Sequence, residues 1–449
     1  MTVRAGRRLT PVLLAVALGM ECVAPARQMG PRPLMPDPAN MVPLRARTIY
    51  RDMGLMVDTS RLPFVASLRF LAGATPDSTL LVFAMSLANR TLNFRRDSND
   101  LVADYHVEVT LRRDTSLVRQ EVRDAKVRVS TVPETMRRDE SVIFQQFVTV
   151  RPGIYSVNVV VRDRTSPAYA QFQLVDTVPQ FDAPGLGWPI PIYEGAGRAR
   201  RGVLPDLVAN PRGTTSYGDR VRFYVEGYGL ARGTRLAARV IDLDSVALWH
   251  DTLTLGEGPL ASVQFVIKPG VLPLGRAEFQ VQAVGGAARA TAPLLVTFSD
   301  MWAVNRFDQT VDLLRYFPRP DLVAKLKAAP RDQRAAAWRE FYTASDPTPA
   351  PPNERLDKYF HRIEFANLRY AEPKNPGWKT DRGEVYIALG EPDQAFEVPG
   401  KITPGIRWEY SSPHVTLSFQ DDEGLGRYHL TAQSRADFDR ASVEARAAQ

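Results

Sequence analysis

The stretch that decides the fold of the C-terminal part is GWKTDRGEVYIALGEPD, which runs from residue 377 to residue 393. It predicts a helix, because Thr380 or Asp381 can accept hydrogen bonds from the first exposed backbone amides. Asp381 and Glu384 also have the spacing of a capping box. Gly390 then supplies a residue that tolerates positive φ, with a proline two positions later, so the helix is expected to end there.

Regular patterns flank this helix on both sides. Downstream, alternating apolar residues predict strands over 406–410, 415–420 and 428–431, with a turn between the last two. Upstream, apolar residues recur every three or four positions, and prolines divide that region into short helices before a longer one over 354–370. The sequence from residue 300 to residue 433 therefore predicts a helical segment followed by a small α+β domain.

The quoted stretch and the residues before it resemble a known sequence motif. It is preceded by Asp346-Pro347-Thr348-Pro349, Asn353-Glu354, Arg362 and Ala366-Asn367. Over residues 338 to 431 this order and spacing resemble the GWxTD-domain family of bacterial, envelope-directed proteins. The chain departs from the pattern at Glu391, where the family often has the first proline of Gly-Pro-Pro-Asp. The resemblance implies a protein that leaves the cytoplasm.

A second, local resemblance covers the C-terminal part alone. It rests on Val385, Leu389-Gly390, Pro392, Trp408, Tyr410, Phe419 and Gly424. These positions are similar to the small SmpA/OmlA lipoproteins of the outer-membrane assembly machinery. This resemblance implies a binding module rather than an enzyme.

The N-terminus predicts export. Residues 1–26 combine three early arginines, an apolar run too short to span a bilayer and a small-residue exit, which is typical of a signal peptide. Cys22, the only cysteine, lies where bacterial lipoproteins are acylated, but Glu21 precedes it where a small residue is usual. Lipidation at Cys22 and ordinary cleavage after Ala26 both remain open. Five prolines over 27–46 predict an extended tether.

The central two thirds predict β-structure. Residues 47–177 and 183–298 each contain short β-branched and aromatic runs separated by turn residues, which favours two tandem immunoglobulin-like β-sandwiches. Arg151-Pro152-Gly153-Ile154-Tyr155 resembles the turn and tyrosine of many such sandwiches. The Pro- and Gly-rich stretch near 179–191 is predicted to join the two domains, with Trp188 packed there. Residues 434–449 are predicted to form a flexible tail.

Charge and composition limit the possible partners. The chain has 449 residues and a formal net charge of +7, with 57 basic and 50 acidic side chains. Because the two signs are interleaved along the chain, no basic stripe indicates nucleic-acid binding. We expect no nucleic-acid partner, and membrane contact only through a lipid on Cys22.

The sequence contains no convincing catalytic or metal motif. His361 and Glu364 share a helix face but lack a third ligand, so no metal site is predicted. There is no Gly-x-Ser-x-Gly elbow, and five scattered histidines define no triad. We therefore predict no cofactor and no catalytic residue.

Polar and aromatic side chains of the 377–393 stretch, which we call the signature, suggest a binding surface together with Trp408 downstream. Its candidates are Trp378, Thr380, Asp381, Arg382, Asp393 and Trp408. Exposed tryptophan and arginine often anchor interfaces, although the same residues could serve only to build the fold. The function predicted is a noncatalytic cell-envelope protein that binds another envelope protein. The alternative is a secreted hydrolase or transferase that uses Asp381 and Glu384.

Overall fold

The computed structural model describes residues 27–28, 44–136, 141–181, 184–298, 303–346, 353–373, 375–399 and 404–447. The chain divides into two compact units. The larger unit comprises residues 33–368, and the smaller comprises residues 369–449 together with the strand at 27–28. The predicted signal peptide and Cys22 lie outside the described residues.

The described helices are α1 (Leu44–Asp52), α2 (Val132–Thr135), α3 (Phe307–Leu313), α4 (Pro320–Ala328), α5 (Arg334–Ser345), α6 (Glu354–Arg369), α7 (Asp381–Leu389) and α8 (Ala432–Ala447). The described strands are β1 (Arg27–Gln28), β2 (Met56–Asp58), β3 (Phe64–Ala72), β4 (Thr79–Ala88), β5 (Arg95–Asp97), β6 (Asp100–Arg113), β7 (Ser116–Val129), β8 (Ser141–Val150), β9 (Gly153–Asp163), β10 (Tyr169–Val178), β11 (Gly185–Leu186), β12 (Ile190–Gly197), β13 (Asp206–Ala209), β14 (Thr214–Ser216), β15 (Val221–Tyr228), β16 (Arg235–Asp242), β17 (Ala247–Thr254), β18 (Leu260–Ile267), β19 (Gly275–Ala283), β20 (Arg289–Thr297), β21 (Gln394–Val398), β22 (Gly405–Ser411), β23 (His414–Gln420) and β24 (His429–Leu430).

The larger unit begins with a β-sandwich. One sheet has the order β2-β3-β4-β8, and the other has β10-β9-β6-β5 with β7 on β6. Alternation along β6 explains the packing, because Tyr105, Val107 and Val109 are buried while His106 and Glu108 on the opposite face are partly exposed. The two sheets enclose one apolar core.

A second pair of sheets follows. One has the order β11-β15-β12-β13 with β18 on β15, and the other has β14-β20-β19-β16-β17. Phe223 and Phe279 stack across them with ring centroids 4.0 Å apart, and Phe265 lies 5.6 Å from Phe279. The strand prediction for this region is confirmed in its coarse form, as two consecutive β-sandwiches.

The two sandwiches meet on the outer face of β3 and β4. Every residue of β3 is buried, because one face of the strand lines the first core and the other faces the second sandwich. On that outer face, Leu71 of β3 packs with Leu80 and Val82 of β4 against Ile190 and Ile192. Strands that are buried on both faces have continuous apolar runs instead of alternating apolar and polar residues, and β3 and β4 have such runs.

Trp188 packs at this junction. Its ring lies edge-on to Phe70 with centroids 5.0 Å apart, although the side chain keeps 37% of its area exposed. The helices α3 to α6 complete the unit around aromatic contacts. Trp338 is fully buried beside Tyr217, and Tyr359 packs edge-on to Phe317 while its hydroxyl donates to Leu313 O at 2.6 Å.

The smaller unit is a five-stranded antiparallel sheet with two helices. The strand order is β1-β21-β22-β23-β24. Trp408 on β22 is buried against Phe419 and Tyr370, with centroids 4.8 Å and 5.4 Å away. The predicted signature helix is confirmed as α7, and the strand pattern behind it is confirmed with one addition, β21, which was missed.

One prediction about the ends of the chain is wrong, and a second is wrong at its margins. The predicted flexible tail is the helix α8, because Phe438 and Ala441 recur at helical spacing and are each 4% exposed in the core of the smaller unit. Of the predicted tether over 27–46, the structure describes residues 27–28 and 44–46, and the remainder lies outside the described residues. Arg27–Gln28 pairs with β21, since the edge of a sheet accepts any extended backbone, and α1 begins at Leu44.

Candidate functional site

The first turn of α7 is fixed by Thr380, which precedes it. The Thr380 hydroxyl accepts a hydrogen bond from Gly383 N at 3.1 Å and donates to Gly377 O at 2.8 Å. Thr380 is therefore the cap, and Asp381 is the first helical residue. The expected Asp381–Glu384 capping box does not form, because the carboxylate of Asp381 points to β24 instead.

The two tryptophans of the predicted binding set are part of the core. Trp378 is 3% exposed in the single 3-10 turn that leads into α7, with Lys379 Nζ 5.0 Å from its ring centroid. Trp408 is 1% exposed and Thr380 is 2% exposed. These three side chains hold α7 on the sheet and present little surface to a partner.

Arg382 is largely buried between aromatic rings. Its guanidinium carbon lies 4.3 Å from the ring centroid of Tyr428 and 5.6 Å from that of Tyr370. Its nearest carboxylate is Glu372, at 3.5 Å, whose side chain is 4% exposed and also accepts from Tyr428 N. Burial lowers the pKa of Arg382, and the charge of Glu372 offsets part of that effect. The cation thus ties α7 to the segments before and after it.

Four partly exposed polar side chains form one cluster, which we call the Arg435 cluster: Asp381, Glu384, His429 and Arg435. Arg435 on α8 contacts Asp381 Oδ1 at 3.0 Å and Glu384 Oε2 at 2.8 Å. Asp381 Oδ2 also accepts from Leu430 N at 2.7 Å and lies 3.9 Å from His429 Nδ1. Burial acts to lower the pKa of Arg435, but the hydrogen bond that it donates to Glu384 and both carboxylate charges raise it above its ordinary value.

Asp393 lies apart from this cluster. Its carboxylate accepts hydrogen bonds from the backbone N and the hydroxyl of Ser411, both at 2.6 Å. These bonds lower the pKa of the exposed Asp393 carboxyl. Asp393 thus fixes the turn into β21 against the end of β22. Of the six residues predicted to bind, Asp381 and Asp393 carry carboxylates, and that of Asp393 is exposed and lies outside α7.

Sequence reasoning missed three residues of this region. Arg435 lay in the segment predicted to be a tail, and its helical spacing from Phe438 was the available signal. Glu372 carries no motif. Gly383 was quoted in the signature without a role, yet a Cβ there would meet Gly377 O at 1.8 Å. The close approach of the Gly377 carbonyl is the packing reason for a glycine at position 383.

Two searches of the described residues gave negative results. No group of three or more His, Cys, Asp or Glu side chains is placed to hold a metal ion within the described ranges. None of the helices in those ranges is long and apolar enough to cross a membrane.

These observations define a class of protein, in which consecutive β-sandwiches precede short helices and an α+β unit built around a glycine-capped signature helix. The sequence model of the GWxTD domain matches residues 281–438, and the chain therefore carries a GWxTD domain. The family resemblance predicted from the sequence is confirmed, over a range that begins further upstream than expected. The match includes β20, the helices α3 to α6 and most of the smaller unit.

Comparison with other proteins adds little. No curated protein matches the sequence. A tetra-tandem repeat in the extending region of a large adhesion protein matches with 11% identity and a TM-score of 0.18, over 52% of this chain and 50% of that one. The BSP domain of a biofilm associated protein matches with 9% identity and a TM-score of 0.17, over 52% and 51%. The chain spans about half the length of each, and TM-scores this low do not establish a shared fold.

Proposed function

We propose that this is a noncatalytic protein of the bacterial cell envelope, in which immunoglobulin-like sandwiches act as spacers for a GWxTD interaction module. The module binds another envelope protein through the Arg435 cluster. This role agrees with the binding function that the SmpA/OmlA resemblance implies. A partly exposed cluster of charges that is held in place before binding loses little side-chain entropy on association.

The observation that carries the proposal is the state of the carboxylates. Asp381 and Glu384 share Arg435, and Asp393 is held by Ser411. Each carboxylate thus has a fixed partner and forms no pair with a second carboxylate. Such an arrangement offers oriented donors and acceptors to a partner, which is the usual content of a polar interface rim.

The alternative, a hydrolase or transferase, requires different geometry. An acid and a base need to share a concave site from which water is excluded. Two cavities lined by described residues lie in the larger unit, and their linings include none of the signature residues. The pairing of Asp381 and Glu384 with one arginine also favours binding, because Arg435 contacts both carboxylates.

The proposal predicts that Arg435→Ala removes partner binding with little loss of stability. Partly exposed ion pairs contribute only about 0–1 kcal/mol each, so the module should remain folded. A photo-crosslinking residue placed at His429, whose side chain is 67% exposed, should give a discrete adduct in intact cells. Arg435→Ala should abolish the adduct. Arg440→Ala is the matched control, because Arg440 lies on the same helix with 73% exposure. An adduct that persists in Arg435→Ala would sink the proposal.

We also propose that the chain is anchored through a lipid on Cys22. Labelled palmitate should then be incorporated into the wild-type protein and be lost completely in Cys22→Ser. The measurement is radiolabel in the purified chain, with the N-terminal residue determined in parallel. A free N-terminus at Arg27 in the wild type would instead establish ordinary signal cleavage and an unanchored protein.

A further inference from the structure

A polar cavity lies in the larger unit between the two sandwiches. It has a volume of about 540 Å³ and is lined by residues of β8, β12, β14 and β15. Small-molecule sites commonly have volumes of roughly 300–1,000 Å³, so the cavity exceeds what one inorganic ion needs. Three arginines line it: Arg212, Arg220 and Arg222.

The arginines give this cavity an excess of positive charge. Arg212 Nε donates to Ser86 Oγ at 2.7 Å. Arg220 and Arg222 make no ion pair among the described residues, whereas other arginines of the same unit do, such as Arg306 with Asp244 at 2.6 Å. Asp219 is the one acidic side chain of the lining. Burial raises the pKa of Asp219.

We propose that this cavity binds an acidic saccharide. The planar guanidinium groups of Arg220 and Arg222 match the geometry of a carboxylate or sulfate, which they can bind with paired hydrogen bonds. Thr215 and Ser216 line the same cavity, and side-chain hydroxyls can donate to or accept from sugar hydroxyls. Tyr193, which is 47% exposed, also lines the cavity, and an aromatic ring can pack on the C–H side of a pyranose ring.

A saccharide fits this lining better than an anion with an apolar body, such as a fatty acid, does. Most of the lining residues are polar, so a ligand with hydroxyls along its length leaves fewer of them unpaired. The site lies wholly within the larger unit and shares no residue with the Arg435 cluster. The proposal therefore stands or falls independently of the partner binding proposed for the GWxTD module.

The test is calorimetric binding to the full mature chain with three probes of equal length. Tri-galacturonate supplies carboxylates, a sulfated galactose trimer supplies sulfates, and galactotriose supplies neither. We expect at least one acidic probe to bind and the neutral probe not to bind. The variant Arg220→Gln/Arg222→Gln should weaken the acidic probe by at least about tenfold, since each lost charge-assisted hydrogen bond contributes on that order.

The control variant is Arg200→Gln/Arg289→Gln, which removes the same charge from exposed positions outside the cavity lining. If the site is local, this variant should leave the affinity for the acidic probe within about twofold. Which acidic probe binds identifies the anionic group. Equal weakening by the control variant, equal binding of galactotriose, or no binding of either acidic probe would each overturn the proposal. Thermal melts of both double variants establish that they are folded.

Discussion

Replacing Glu226 by glutamine is expected to lower the free energy of unfolding of the larger unit by about 3–5 kcal/mol, as breaking buried ion pairs does. Glu226 is completely buried, and Arg198, its partner, has a side chain only 1% exposed. The two carboxylate oxygens accept from Arg198 Nε and Nη2 at 2.8 Å and 2.9 Å. Tyr224 and Tyr228 donate to the same two oxygens, at 2.6 Å and 2.5 Å.

The loss should be large because the substitution removes charge without changing shape. Burial acts to lower the pKa of Arg198, and Glu226 more than reverses this, so the guanidinium stays charged and would be left without a counter-charge. Arg198 Nη2 also donates to Ala72 O at 2.6 Å, so the pair joins the second sandwich to β3 of the first. The damage should therefore extend to the contact between the sandwiches.

The measurement is urea-dependent hydrogen exchange of the β15 amides. Glu257→Gln is the matched control, because Glu257 pairs with Arg232 in the same sandwich while their side chains are 66% and 82% exposed. An exposed pair contributes only about 0–1 kcal/mol. Equal effects of the two substitutions would mean that burial does not determine the contribution of the Arg198–Glu226 pair.

This pair shows which features the sequence could not predict. Arg198 and Glu226 lie on segments 28 residues apart, and neither has a local pattern that indicates a partner. Alternation along β6 and the apolar runs of β3 and β4 are local, and from them the strands were predictable. Long-range pairings among polar residues depend on how the sandwiches meet, which no single segment encodes.

The smaller unit shows the same division between local and long-range information. The α7 helix was predictable from its cap and its glycine stop, against the strand propensity of Val385 and Ile387. From the sequence, Thr380 and Asp381 were both candidates for the helix cap. The structure assigns the cap to Thr380, because the Thr380 hydroxyl accepts from Gly383 N whereas the carboxylate of Asp381 accepts from Leu430 N on β24. The helix α8 was missed because its apolar face is narrow, with mostly polar residues around Phe438.

Replacing Gly383 by alanine is expected to destabilise the smaller unit by about 3 kcal/mol or more, at the upper end of the cost of overpacking. An added Cβ would lie 1.8 Å from Gly377 O and 2.8 Å from Gly377 C. The carbonyl cannot move away freely, since it accepts from the Thr380 hydroxyl at 2.8 Å and from Thr380 N at 3.2 Å. The 3-10 turn would have to separate from α7, and Trp378 lies in that turn.

The sign of this effect makes it a sharp test. In an ordinary helix interior, glycine to alanine is stabilising by about 0.5–1 kcal/mol. Ala388→Gly in the same helix serves as the reference for intrinsic propensity and should cost about that amount. Gly256→Ala is the control for space, because a Cβ at Gly256 meets no atom within 4 Å and should change stability by less than about 0.5 kcal/mol.

Unfolding of all variants is followed in urea by the fluorescence of the tryptophans together with far-UV circular dichroism. If Gly383→Ala proved neutral or stabilising, the close contact of the two glycines would not exist in solution, and the signature would lose its role in shaping the fold. If it is destabilising, partner crosslinking at position 429 should fall only as the folded fraction falls. Arg435→Ala should behave differently, losing the adduct while the protein stays folded. The two variants together separate the residues that build the signature helix from those that present its surface.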